Sequence, residues 1–407
     1  MAKILRVVVL LLVLAALAWA AYGFHIYRLN ATPEPQLPTV QSNSADNRYD
    51  QLLRCVKGLQ RDRDLLLLES LPQYGTPAQK KAVLDANRAL LEECRALLRG
   101  HIWVNRLIPL PEDPTMEYFR HVARLFVAEG KLHEQQARYG QAMDSYLDGL
   151  LFADRIARGG STLHLIARFA SSVVVFEAIP SVIPRLGAAE ARQAARRVQQ
   201  LLDEQYPLAD VITQEFHTTL GGWHNTTRGM AMRGWRLDLP ESDAERQMLM
   251  RPKKPISDAA QRYAQLWIEQ ARQPYAQMTP VGYVPPLDTL PEGLVVRSPD
   301  DLFSHVTRYV YLQMRLRLLY TALRLEEFRK TQGRYPASLQ VLGNSPHFID
   351  PFSGKPFVYR SQGGRYVLYS VGPNGVDDGG SPAVESLLRR EQPGDIGLVP
   401  NFPRRPS

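Results

Sequence analysis

The chain has 407 residues, with 49 Lys and Arg against 41 Asp and Glu, a formal net charge of +8. Its 22% charged and 45% hydrophobic residues are ordinary globular usage, which excludes wholesale disorder and predicts two or more folded units. The basic excess is spread along the sequence, with only short groups such as Arg251-Pro-Lys-Lys254, so no nucleic-acid partner is expected.

Lys3 and Arg6 precede an uncharged apolar run, Val7 to Phe24. As a helix that run spans about 27 Å at 1.5 Å per residue, close to the hydrocarbon thickness of a bilayer. Trp19, Tyr22, Phe24 and Tyr27 gather at its outer end, where amphipathic rings favour the interface. The positive flank predicts a single-pass inner-membrane anchor over residues 1–28, with the bulk of the chain in the periplasm or on the extracellular side. The competing reading is a cleaved signal peptide, because Ala18-Trp-Ala20 satisfies the small-x-small rule. Residues 29–45 carry prolines and small polar residues and read as a linker.

A helical domain is expected over 46–236. Tyr49, Leu52, Leu53, Val56 and Leu59 recur at helical spacing, as do Val83, Leu90, Leu91, Leu97 and Leu98. Between the two runs, Leu71-Pro-Gln-Tyr-Gly-Thr-Pro77 predicts the turn of an antiparallel hairpin. The two cysteines, Cys55 and Cys94, are equidistant from that turn, one on each arm. In an exported protein this favours a disulfide; the alternative is two buried thiols.

A second helical pair follows. Tyr118, Val122, Leu125 and Phe126 form one stripe, broken at Gly130, and Tyr139, Met143, Tyr146, Leu147, Leu150 and Leu151 form the next. Tyr139-x-x-Ala142-x-x-x-Tyr146-x-x-Gly149-Leu150 resembles the second half of a tetratricopeptide repeat. The resemblance covers one unit near residues 116–153, with no second copy. Helices are also expected over Thr162 to Ala178, Ala188 to Glu204 and Leu208 to Leu220, the last ending at Gly221-Gly222. Glu215, His217 and His224 read as polar residues at a helix end rather than as metal ligands. A connector over 237–297 holds one helix, Ser257 to Ala271, followed by many prolines.

The segment 298–407 opens on Ser298-Pro-Asp-Asp301, an N-cap with proline at the first helical position and acids near the positive helix end. A helix to about Gln332 should stop at Gly333. Two short strands, Phe357-Val-Tyr359 and Tyr366-Val-Leu-Tyr369, precede Ser370-Val-Gly-Pro-Asn-Gly-Val-Asp-Asp-Gly-Gly380. With Tyr335-Pro-x-x-Leu339 and Asp350-Pro-Phe-Ser-Gly-Lys-Pro-Phe357, this order resembles the periplasmic domain of the type II secretion major pseudopilin, over Asp301 to Val399. The resemblance implies a small α+β module whose final loop binds calcium. Asp377, Asp378 and Asp395 match acidic positions of that motif, and Asn374 stands where the family has an aspartate. Oxygen donors of this kind suit Ca²⁺; the alternative is a solvated Asp/Gly turn capped by Arg389 or Arg390. The family's leader-peptidase site is missing, since Gly23-Phe24 stands at the end of the apolar run instead of before it and no glutamate accompanies it.

The expected fold is thus mainly α, as helical hairpins or a bundle, with one N-terminal transmembrane helix and a C-terminal α+β pseudopilin-like module. The expected role is a non-enzymatic structural or interaction protein of the bacterial envelope, with protein partners and an association with a secretion or pilus-like system. The alternatives are an envelope hydrolase with its site in the helical body, or a peptide-binding helical scaffold.

Overall fold

The computed structural model describes residues 2–40, 46–59, 76–105, 115–233, 235, 240, 242–290, 296–362, 364–381 and 394–398. The chain is mainly helical, with a small three-stranded sheet. Two compact units are present: Met1–Thr39 with Ile212–Gln270 and Thr279–Leu302, and Val40–Val211 with Ala271–Met278 and Phe303–Ser407. They do not follow the five sequence segments, because the C-terminal sheet shares a unit with the helices before Val211.

The first unit begins with α1 (Ala2–Asn30), which is long and apolar enough to cross a membrane and exposes the side chains of its most apolar stretch. The residues after it, expected as a linker, lie packed along a helix. The Asn30 side chain, fully buried, donates to the carbonyls of Ile26 and Leu249 at 2.9 and 2.8 Å. Thr32 meets Thr227 and His224, the Gln36 amide donates to Gln261, and the Pro38 carbonyl meets His217 at 2.9 Å.

Three of those contacts are made by the helix α9 (Leu208–Arg233), numbered after the seven helices of the second unit described below. It does not end at Gly221-Gly222. Two glycines lower helix propensity by about 1 kcal/mol each. A buried stripe of Phe216, Leu220, Trp223, Thr227 and Ala231 carries the helix through them. A short helix unforeseen in the sequence, α10 (Asp243–Met250), is capped by the Ser242 hydroxyl accepting from the Glu245 amide. It packs against α1. The following helix, α11 (Lys254–Gln270), begins three residues before Ser257, whose hydroxyl accepts from the Trp223 indole.

The second unit contains α2 (Tyr49–Lys57), α3 (Pro77–Ala86), α4 (Arg88–Leu98), α5 (Thr115–Gln135), α6 (Tyr139–Arg155), α7 (Thr162–Ala178) and α8 (Ala188–Asp203). The hairpin turn expected near 71–77 lies mostly outside the described residues. Thr76 caps α3 reciprocally with Gln79. Cys55 and Cys94 stand side by side, but their sulfurs are 3.2 Å apart, against about 2.05 Å in a disulfide. The expected disulfide is therefore corrected to two free, buried thiols. The Cys55 thiol also contacts the Leu90 carbonyl, so each sulfur is accommodated without a bond between them. Contact with Cys55, together with burial, raises the Cys94 thiol far above its ordinary pKa.

Gly130 does not break α5. It is the point where α6 approaches: a Cβ there would lie 2.2 Å from a ring carbon of Tyr146. Tyr146 is fully buried and its hydroxyl donates to Glu134, so the ring cannot swing aside. Alanine at this position gains about 1 kcal/mol of helix propensity, while overpacking costs about 1–3 kcal/mol. Gly130→Ala should therefore destabilise the protein, and Gly130→Leu should do so more strongly. Urea unfolding midpoints check the order; a midpoint raised by alanine would contradict it.

The helix α12 (Pro299–Gln332) starts and stops where its sequence signals lie. The Ser298 hydroxyl accepts from the Asp301 amide, and Gly333 has φ +73°. Within the second unit its C-terminal part carries the sheet. The strands β1 (Val358–Gln362), β2 (Arg365–Ser370) and β3 (Ile396–Gly397) are antiparallel in that order, with Val358 opposite Tyr369 and Ser370 opposite Ile396. Tyr335 donates to the buried Glu326 at 3.1 Å and meets Tyr366 edge-on, while Tyr359 donates to the Pro336 carbonyl. These three tyrosines fasten the hairpin to α12.

Candidate functional site

The acidic loop after β2 is built on two anchors. The first is the Asp350 carboxylate, 1% exposed, which accepts from the Phe352 and Val371 amides at 3.0 and 3.1 Å. The Ser370 hydroxyl lies 2.9 Å from both of its oxygens. Asp350 thus ties its own turn, closed by the Gly354 amide on the Asp350 carbonyl, to the residues that leave β2. Burial raises its pKa above the usual carboxylate range, against the bonds that pull it down.

The second anchor is Gly372, at φ +70°, where a Cβ would lie 2.6 Å from the Gly394 carbonyl oxygen. Only glycine lets residues 371–381 lie against the strand end formed by 394–397. The Asp395 amide donates to the Ser381 carbonyl at 2.6 Å and closes the loop.

Asn374, Asp378 and Asp395 come together inside this closure. The Asp395 carboxylate accepts from the Asp378 and Gly380 amides at 3.3 and 2.6 Å. Asp378 accepts from the Asn374 side-chain amide at 3.0 Å and from the Gly394 amide at 2.7 Å. Asp377 faces another way, accepting from the Tyr369 hydroxyl at 2.8 Å and the Gly379 amide at 2.9 Å. The Arg360 guanidinium is 4.0 Å from it. Burial pushes Asp395 up to about 6, and the neighbouring Asp377 and Asp378 charges add to the shift.

The donor types match a hard cation, since three carboxylates and an amide carbonyl are oxygen ligands. The arrangement is not a preformed cage. Among the described residues no three acidic, histidine or cysteine side chains converge as a metal site. The Asn374 oxygen itself accepts from the Val376 amide. The loop residues 382–393, including Arg389 and Arg390, lie outside the described residues.

Elsewhere in the second unit two clefts open on the helical body. One, of about 410 Å³, lies among Leu98, Leu147, Leu151, Arg155, Arg197 and Glu204. The other, of about 350 Å³, lies among Arg88, Leu91, Arg95, Glu129, Leu132 and His133. A line of alternating charges joins them: Glu129 to Arg95, Arg95 to Asp148 at 2.7 Å, Asp148 to Arg197 at 2.6 Å and Arg197 to Asp144 at 2.8 Å. These charges answer one another, so they read as links between α4, α5, α6 and α8.

Glu215, His217 and His224 do not gather. Glu215 is buried against Arg297 at 2.9 Å, while the two histidines bind the Pro38 carbonyl and the Thr32 hydroxyl. Sequence reasoning missed Asp350 as the hub of the loop, although Asp350 opens the motif. The signal available was an acidic residue in an apolar, proline-flanked turn.

Comparison with protein-family models, with curated proteins and with solved structures returned no match.

Proposed function

We propose that this protein is a membrane-anchored, extracytoplasmic structural or interaction protein of the bacterial envelope. The observation that carries the proposal is α1, whose exposed apolar surface has no function in water and whose length fits a bilayer. Lys3 and Arg6 at its start favour an orientation that places the folded units outside the cytoplasm. A second stretch, Thr162–Arg185, is also long and apolar, but more than half of its most apolar part is buried within the second unit and it serves as core.

The full-length protein should remain in the membrane pellet after alkaline carbonate extraction, with an intact mass that retains residues 1–20. External protease should reach the folded units in spheroplasts. Release into the supernatant would remove the anchor reading, and a mass lacking the first 20 residues would replace it with a cleaved signal.

The association with a secretion or pilus-like system rests on the pseudopilin-like order of helix, turn, hairpin and Asp/Gly loop. Its support is the long α12, the antiparallel hairpin and the closure of residues 371–381 on 394–397. Calcium belongs to the same proposal. Its support is the gathering of the Asn374, Asp378 and Asp395 oxygen donors within the loop closure, where the Asp377 and Asp378 charges add to the upward shift of Asp395. Millimolar Ca²⁺ should raise the melting temperature of the full chain, and Asp395→Asn should abolish the rise. Unchanged melting in the wild type would remove the metal from the proposal.

A further inference from the structure

The first unit places apolar side chains beside the outer end of α1 that the anchor alone does not require. α9 runs antiparallel to residues 23–38, as three contacts show. His217 meets Pro38, Thr227 meets Thr32, and the Trp235 ring lies 3.0 Å from where a Gly23 Cβ would be. From His217 to Thr227 the helix advances about 15 Å at 1.5 Å per residue, so α9 descends steadily toward the anchor. α10 and the residues just after it meet the same stretch, with the Leu249 carbonyl on Asn30 and the Leu29 carbonyl receiving the Lys253 amide at 2.8 Å.

Gly23 is one residue from the end of the apolar run Val7 to Phe24. If that run fills the hydrocarbon, Gly23 lies at the boundary of acyl chains and headgroups, and Trp235, packed on it, lies at the same depth. Trp235 is nevertheless 41% exposed, as is Met232, and Met250 is 38% exposed. Trp19, Phe24 and Tyr27 on α1 are also exposed. Among the described residues from Arg228 to Lys254, Arg228, Arg246, Arg251 and Lys254 are exposed against the exposed Asp243, the sign that suits anionic headgroups.

We infer that the end of α9, with Met232, Trp235 and Met250 beside α1, is a second membrane contact whose occupant is the phospholipid of the extracytoplasmic leaflet. Tryptophan suits that depth, with an apolar ring and an indole N–H that reaches the polar zone. The contact fixes the first unit on the bilayer instead of leaving it to hang from a linker. It rests on the reading of α1 as an anchor.

The test uses the full chain reconstituted in phosphatidylcholine/phosphatidylglycerol vesicles with dibrominated acyl chains. The fluorescence of the wild type, Trp235→Phe and Trp19→Phe proteins is compared with that in unbrominated vesicles. The emission lost in Trp235→Phe should be blue-shifted and quenched by the brominated lipid to an extent comparable with that lost in Trp19→Phe. An unquenched Trp235 component beside a quenched Trp19 component would overturn the second contact and leave the anchor standing. If neither component is quenched, the anchor reading fails and the inference falls with it.

A second measurement covers misfolding of Trp235→Phe. Met232→Cys can be labelled with an environment-sensitive dye while the native thiols are buried. Quenching by nitroxide lipid and protection from iodide support the contact. Iodide access overturns it, and protection from both quenchers overturns it in favour of a protein partner.

Discussion

Asp154→Ala is expected to destabilise the protein by about 3–5 kcal/mol, the range for removing one partner of a buried ion pair. Asp154 is 4% exposed at the end of α6, and three guanidinium groups converge on it. Arg168 of α7 lies 3.0 Å from one carboxylate oxygen, and Arg155 and Arg158 lie 3.0 and 3.2 Å from the other. The three arginines do not depend on Asp154 equally. Arg155 keeps Glu204 at 2.6 Å, and Arg158 keeps the Glu204 backbone carbonyl. Arg168, 5% exposed, is the one left charged and buried by the substitution.

Most of the loss should therefore be recoverable from Arg168. In a double-mutant cycle of Asp154→Ala and Arg168→Met, the double variant should cost clearly less than the two single losses added together. Couplings of about 0.5–3 kcal/mol are typical for directly paired groups. Strict additivity in urea unfolding would show that the pair does not bear on stability and that Arg155 and Arg158 dominate.

This cluster also shows where the sequence stops being readable. Asp154 and Arg168 sit on successive helices whose apolar stripes are legible, and both helices form as their spacing predicts. Nothing in the spacing says that the two charged residues turn inward and meet. The same holds at Asp350, whose acceptor role depends on Ser370 and Val371, twenty residues away across a hairpin. Local signals fared better where they act through the backbone alone, as at Ser298-Pro299 and Gly333, which bound α12 as read. They failed where packing overrides propensity: Gly221-Gly222 and Gly130 look like breaks, yet buried stripes and a facing tyrosine hold the helices through them. β3 is only two residues long and has no period to detect. It exists because the Asp/Gly loop returns the chain beside β2.

At the acidic loop, Asp350→Ala should cost about 3 kcal/mol or more, because it strands several buried donors at about 1–3 kcal/mol each, with partial relaxation. The loss should be local before it is global. Hydrogen exchange at the Phe352 and Val371 amides should accelerate, and the closure of residues 378–381 on 394–395 should loosen with them. Asp350→Asn keeps one acceptor oxygen but turns an N–H₂ group toward the Val371 amide or the Ser370 hydroxyl, so it should cost less than alanine.

The pH dependence separates the charge of Asp350 from its shape. Burial raises the folded-state pKa above the value of about 3.9 expected for an unfolded aspartate. Between those two values the folded state binds more protons than the unfolded state, so stability falls as pH rises through the window. Above the folded pKa the cost of the buried charge is fully present; below the unfolded pKa it is gone. Asparagine has no such titration. The stability advantage of the wild type over Asp350→Asn should therefore widen as pH falls through the folded pKa toward about 4. A gap that narrows over that interval would mean that the donors around Asp350 outweigh its burial, and that the turn is held by a charged carboxylate at no net cost.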